Sequence, residues 1–166
     1  MISTNYQVIN LINFFESDSL FQSHPKPKSN TNFLGIADII TGTETDEFNF
    51  TPCGYSMNGL TEDVYSTIHV TPEPHCSYAS YETNISLSSY RKLVMKVFDI
   101  FRPGTVTLSL FAVKTNGSSV KPYHLDMEIP GYHVKFTNMS DLGENCEVII
   151  CNYESVEFSL GRRLSF

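Results

Sequence analysis

Ser56, His69 and Glu73 lie in the stretch FTPCGYSMNGLTEDVYSTIHVTPEPHCSYASYETN, residues 50–84. An imidazole within reach of a hydroxyl can share or remove its proton, which is how a serine becomes reactive. A carboxylate such as Glu73 can orient the ring or grip the hydroxyls of a ligand. Whether these groups meet depends on the strands that carry them. Thr67–Thr71 alternates, so Ile68 and Val70 share one face while His69 lies on the other with Thr67 and Thr71. Pro72 ends that run. Cys53–Met57 reads as a second short strand, and Asn58-Gly59 as the start of the loop that joins the two. If the strands pair, Ser56 and His69 approach each other. Taken alone, a Ser, a His and a Glu this close arise often by chance, and a structural role is the commoner outcome. A metal reading that uses His69, Glu73, His75 and Cys76 matches no zinc spacing, and no metal is expected.

The elements that must hold these residues are mostly strands. Val106, Leu108, Leu110 and Ala112 alternate with Thr107, Ser109 and Phe111. Tyr123–Ile129 and Tyr132–Phe136 alternate in the same way, and Pro130-Gly131 between them predicts a hairpin. Cys146–Tyr153 is apolar on both faces and predicts an interior strand. One helix stands out: Tyr90, Leu93, Val94, Val97, Phe98 and Phe101 follow helical spacing, Ser86 or Ser88 can cap the start, and Arg102-Pro103-Gly104 ends it. Ile9–Phe15 reads as a short helix, followed by a polar, proline-broken loop over His24–Asn30. The expected fold is α+β, a mostly antiparallel sheet with helices on one face. Residues 1–33 read as a partly flexible N-terminal segment, 34–155 as the domain and 156–166 as a tail.

The chain has 166 residues, 41% hydrophobic and 13% aromatic, enough for one domain with a core. A net charge of -7 disfavours nucleic acid, because phosphate binding needs clustered Lys and Arg. The basic clusters, Lys26/Lys28 and Arg162/Arg163, are short. No apolar run is long enough to span a membrane and no leader pattern opens the chain, so a cytoplasmic protein is expected. Cys53, Cys76, Cys146 and Cys151 show no CxxC spacing, and buried free thiols are the default.

The string CGYSMNG followed by YSTIHVTPEPHCSYASYETN resembles the eukaryotic-type S-adenosylmethionine decarboxylases. The resemblance begins near Leu34-Gly35-Ile36-Ala37-Asp38, is clear to about Phe111 and looser to Tyr153. It covers the carboxyl-terminal half of that family's chain. It implies one half of a two-sheet sandwich with helices outside, and a pyruvoyl-dependent lyase that makes the aminopropyl donor for spermidine and spermine. By matched motif, Ser56 resembles the serine beside the scissile bond in self-cleavage, and His69 the base of that cleavage. Glu73 resembles the glutamate that binds the ribose hydroxyls of S-adenosylmethionine, and Phe50 the aromatic that stacks on adenine. Glu82 and Phe111 match the buried charge site that takes putrescine in some members.

The pyruvoyl group, the electron sink for decarboxylation, arises in the family at a Glu-Ser bond of the first half. No convincing equivalent is found here. Glu16-Ser17-Asp18-Ser19-Leu20-Phe21 echoes that motif but lies too near Cys53 for a sheet to intervene. Two functions follow. The chain is a decarboxylase piece whose partner is the other half, or it is an inactive regulatory or binding partner of an intact decarboxylase. Retention of Phe50, Ser56, His69 and Glu73 favours the first. The missing pyruvoyl source favours the second. A third outcome is an unstable product, since one sheet of a sandwich is expected to expose a large apolar face.

Overall fold

The computed structural model describes residues 7–15 as backbone, and 43–73, 77–113, 128–157 and 159 with their side chains. Eight strands form one sheet: β1 Gln7–Phe15, β2 Glu44–Asn49, β3 Tyr55–Thr61, β4 Val64–Thr71, β5 Ser77–Thr83, β6 Thr105–Val113, β7 Tyr132–Gly143 and β8 Cys146–Ser155. Their spatial order is β2-β3-β4-β5-β1-β6-β8-β7, and every neighbouring pair is antiparallel. The helix α1, Arg91–Phe101, links β5 to β6. This is the expected α+β half-sandwich, a mostly antiparallel sheet with its helix on one face.

Period-two alternation decides which face that is. Tyr55, Met57, Ile68, Val70, Ala79, Tyr81, Val106, Leu108, Leu110, Ile149, Cys151 and Tyr153 are all buried on one side. The apolar stripe of α1, Leu93, Val94, Val97, Phe98 and Phe101, packs onto them. Phe98 meets Tyr132 and Tyr153 edge-on, with ring centroids 4.7 and 5.9 Å apart. The helix ends as its sequence implies: Arg102 turns left-handed at φ 42° and its N–H bonds to the Phe98 carbonyl.

Several local readings differ. Ile9–Phe15 is strand, not helix. β1 pairs with β5 on one side and β6 on the other, so two ladders fix an extended backbone that local spacing did not reveal. Residues 7–15 thus sit inside the sheet. The start of α1 is capped by neither Ser86 nor Ser88. Tyr90 is the N-cap and forms no side-chain cap bond. Its hydroxyl donates to the Ile85 carbonyl and accepts from Leu87 N–H, which braces the approach to the helix.

Asn58-Gly59 does not open a loop: both residues lie within β3, and the turn falls at Glu62-Asp63. Burial of Tyr55, Met57 and Gly59 on one face carries the strand past the Asn-Gly pair. Asn84 then fastens the turn, accepting from Tyr65 N–H at 2.7 Å and donating to the Asp63 carbonyl at 2.8 Å. The interior strand over 146–153 is present as β8. Its hairpin partner is β7 through the turn Glu144-Asn145, where both residues have positive φ, as a tight right-twisting hairpin requires. Of the expected Tyr123–Ile129 strand, only Glu128 and Ile129 fall among the described residues, and neither is in a strand. The echo at Glu16–Phe21, His75, Cys76 and both basic clusters lie outside them.

Candidate functional site

Every strand that buries one face presents its alternate residues on the other, the side away from α1. Its register is a lattice of rows across the strands. One row runs Phe48, Ser56, His69, Ser80 through β2, β3, β4 and β5. The next runs Asp46, Asn58, Thr67, Glu82. Beyond β1 the rows continue as Thr107 and Asn152, and as Ser109 and Ile150. Among the described residues, hydroxyls, amides and the Glu82 carboxylate share this face with Phe48, Leu60, Phe111 and Phe136, which are 61%, 61%, 41% and 53% exposed.

Ser56 and His69 are directly opposite each other in the β3–β4 ladder, and Ser56 Oγ lies 3.1 Å from His69 Nδ1. The sequence places them there because Tyr55, Met57, Ile68 and Val70 must all point into the core. A slip by one residue would bury the imidazole instead. In the adjoining row the Thr67 hydroxyl donates to Asn58 Oδ1 at 2.8 Å. The Tyr65 hydroxyl donates to Glu82 Oε1 at 2.6 Å. Burial, that hydrogen bond and the Glu82 charge together push the Tyr65 phenol up to about 12.

Phe50 and Glu73 gather at the end of the sheet nearest this pair. Phe50 N–H donates to the Gly54 carbonyl at 3.0 Å, closing a loop that holds a cis Thr51–Pro52 bond. Gly54 has φ 121°, and a Cβ there would come within 3.4 Å of the Phe50 side chain, so glycine lets the ring lie against the backbone. Phe50 is half exposed and meets Phe48 edge-on at 4.9 Å. Cys53 is exposed rather than buried, and its thiol donates to the Pro72 carbonyl at 3.4 Å, tying the loop to the residue before Glu73. Glu73 is anchored through its main chain, which both donates to and accepts from the Ser77 hydroxyl, and its carboxylate is left in solvent.

The six residues singled out from sequence therefore divide. Ser56 and His69 touch. Phe50 and Glu73 share the neighbouring rim. Glu82 lies on the same face in the next row, bonded to Tyr65. Phe111 is on that face too, but on β6 beyond β1, and half exposed. Phe48, Asn58, Tyr65 and Thr67 also belong to this surface and were not singled out. Their signal was available as the strand period: each occupies an outward position in register with a residue that was.

The chain matches the family model described as adenosylmethionine decarboxylase over residues 1–154, and it belongs to that family. It is 40% identical over 124 residues to an S-adenosylmethionine decarboxylase proenzyme of Dictyostelium discoideum, covering 74% of this chain and 32% of the relative. It is 52% identical over 82 residues to the proenzyme of Xenopus laevis, covering 49% of this chain and 24% of that one. With proenzyme 3 of Arabidopsis thaliana it shares 35% identity over 133 residues, 78% of this chain and 36% of the relative. The chain thus spans about a third of the length of such relatives. Its fold is similar to the crystal structure of the Trypanosoma brucei AdoMetDC-delta26 monomer, with a TM-score of 0.71 at 24% identity, covering 90% of this chain and 65% of that one.

Proposed function

We propose that this chain supplies the second half of an S-adenosylmethionine decarboxylase, forming decarboxylated S-adenosylmethionine for spermidine and spermine synthesis. The observation that carries the proposal is the cross-strand contact of Ser56 Oγ with His69 Nδ1, formed by the two most family-like segments of the sequence. In this reading His69 removes a proton during self-cleavage of the assembled protein, and Ser56 holds the imidazole in place and lines the finished site. Phe50 stacks on the adenine ring, where its face also favours the sulfonium charge of the substrate. Glu73 takes the ribose hydroxyls; its exposed carboxylate beside the Phe50 loop suits that task. Glu82, with Phe111 across the sheet, contributes to a charge site for putrescine or a like cation.

Decarboxylation leaves a carbanion, and a pyruvoyl group supplies the electron sink when present. The outward hydroxyls and imidazole of this face fit a site completed by such a group from another segment. The 166-residue chain by itself is expected to release no carbon dioxide from carboxyl-labelled S-adenosylmethionine; turnover by the pure chain would refute the division of labour. In an intact protein containing the Glu-Ser segment, His69→Ala is expected to leave one unprocessed band on a denaturing gel. Normal processing of that variant would remove His69 from the mechanism.

A further inference from the structure

The row that carries Ser56 has a composition that the decarboxylase reading does not use in full. Ser56 stands between His69 on one neighbouring strand and Phe48 on the other. Its oxygen is in contact with His69 Nδ1 at 3.1 Å. Two residues along β3, on the same face, Asn58 gives its carbonyl oxygen to the Thr67 hydroxyl. That bond orients the amide and leaves its N–H donors for another acceptor. Residues two apart on a strand lie about 6–7 Å apart on one face, so a small carbonyl group can bridge Ser56 and Asn58. Phe48, edge-on to Phe50 at 4.9 Å, makes an apolar wall beside the serine. A nucleophile, a base in contact with it, an oriented amide donor and a flat aromatic wall thus share one open surface.

We infer that Ser56 is an acylatable nucleophile, and that this face hydrolyses small activated esters, aryl acetates in particular, with no prosthetic group. Ser56 Oγ forms a bond to the ester carbonyl carbon and passes its proton to His69 Nδ1. The carbon–oxygen bond to the leaving group breaks, and that oxygen takes the proton from His69. Water then repeats the sequence on the acyl-serine, releasing the acid and restoring Ser56. Asn58 donates to the carbonyl oxygen while it carries negative charge. The site is open and Ser56 only half buried, so it takes a short acyl chain, with the aryl group resting on Phe48. This activity stands apart from the decarboxylase proposal, and the failure of either leaves the other in place.

The test is incubation of the purified full chain with para-nitrophenyl acetate, reading nitrophenolate release and mapping the acetyl group by peptide mass spectrometry. The expected result is acetylation of Ser56 in the unaltered protein. Ser56→Ala should remove the label. His69→Ala should slow labelling by about a hundredfold, the scale of a lost general base. Asn58→Asp should slow it by about tenfold, less than the loss of an oxyanion donor costs in a closed site, because water can replace the amide in one so open. Lys92→Ala, on α1 at the opposite side of the sheet, should label at the normal rate. Because the wild-type map alone locates the acetyl group, the test survives a variant that fails to fold. Acetylation on Cys53 or a lysine in place of Ser56, or labelling of Ser56 no faster than in a short peptide carrying that sequence, would overturn the inference.

Discussion

The two faces of the sheet are built by the same strands and obey different rules. Toward α1 the side chains are Tyr, Met, Ile, Val, Leu and Ala, packed without solvent, and their contribution scales with the apolar area removed from water. On the other side the same strands present Ser56, Asn58, Tyr65, Thr67, His69 and Glu82, held in pairs by hydrogen bonds worth about 1 kcal/mol each. The first face decides whether the chain folds. The second is free to be chosen for chemistry, because the fold depends on it little. A protein can thus place an imidazole beside a hydroxyl at small cost by fixing the register from the opposite side.

That division can be broken in four ways, taken in order of size. Phe98→Ala removes a buried ring that meets Tyr132 and Tyr153, and should lower the unfolding free energy by about 3–5 kcal/mol in a urea melt. A loss below about 1 kcal/mol would mean that the helix is not what secures the sheet.

The second test acts at the far edge. The Lys135 ammonium lies 2.9 Å from the Glu154 carboxylate and, by that hydrogen bond first and its charge, holds Glu154 below the usual carboxylate range; His133 at 3.2 Å adds to it. The associated stability is present above the ordinary carboxyl pKa and is lost as pH falls through the lowered one. Lys135→Met should therefore shift the acid unfolding midpoint upward, as followed by circular dichroism. No shift would show this edge to be passive.

The third test reads Tyr65. Its pKa rises from 10.0 to about 12, through burial first and then Glu82, so the folded protein keeps the phenol proton where the unfolded chain releases it. Stability from this group is complete below pH 10 and is lost as pH climbs through about 12. Tyr132, raised to about 12 by burial and by Glu157 and Asp99, adds to the same alkaline loss. Tyr65→Phe should make that loss shallower. Glu82→Gln should bring the Tyr65 phenolate absorbance in at lower pH. An unchanged titration would dissolve the link between Tyr65 and Glu82. Smallest of all, Ser56→Ala and His69→Ala should each change stability by no more than about 1 kcal/mol, the worth of the one hydrogen bond they share. A loss of core size at either would erase the contrast between the faces.

Much of this was legible in the residues. The alternation over 106–112, the stripe of α1 and the outward side of His69 follow from side-chain period, because burying apolar groups fixes a face wherever the pattern is regular, and the run over 146–153, apolar on both faces, follows as an interior strand. The motif around Cys53–Thr61 and Thr67–Glu73 likewise carried the family. What the chain alone could not reveal was anything settled by long-range pairing. Ile9–Phe15 carries no decisive local preference, and two ladders from distant strands make it a strand at the heart of the sheet. Asn58-Gly59 has the local chemistry of a turn, yet the burial of Tyr55, Met57 and Gly59 holds it extended. The bond between Tyr65 and Glu82 likewise exists only once β4 and β5 are in register. Sequence period assigns each side chain to a face. Which side chains become neighbours across that face is set by the strand order, and only the folded sheet decides it.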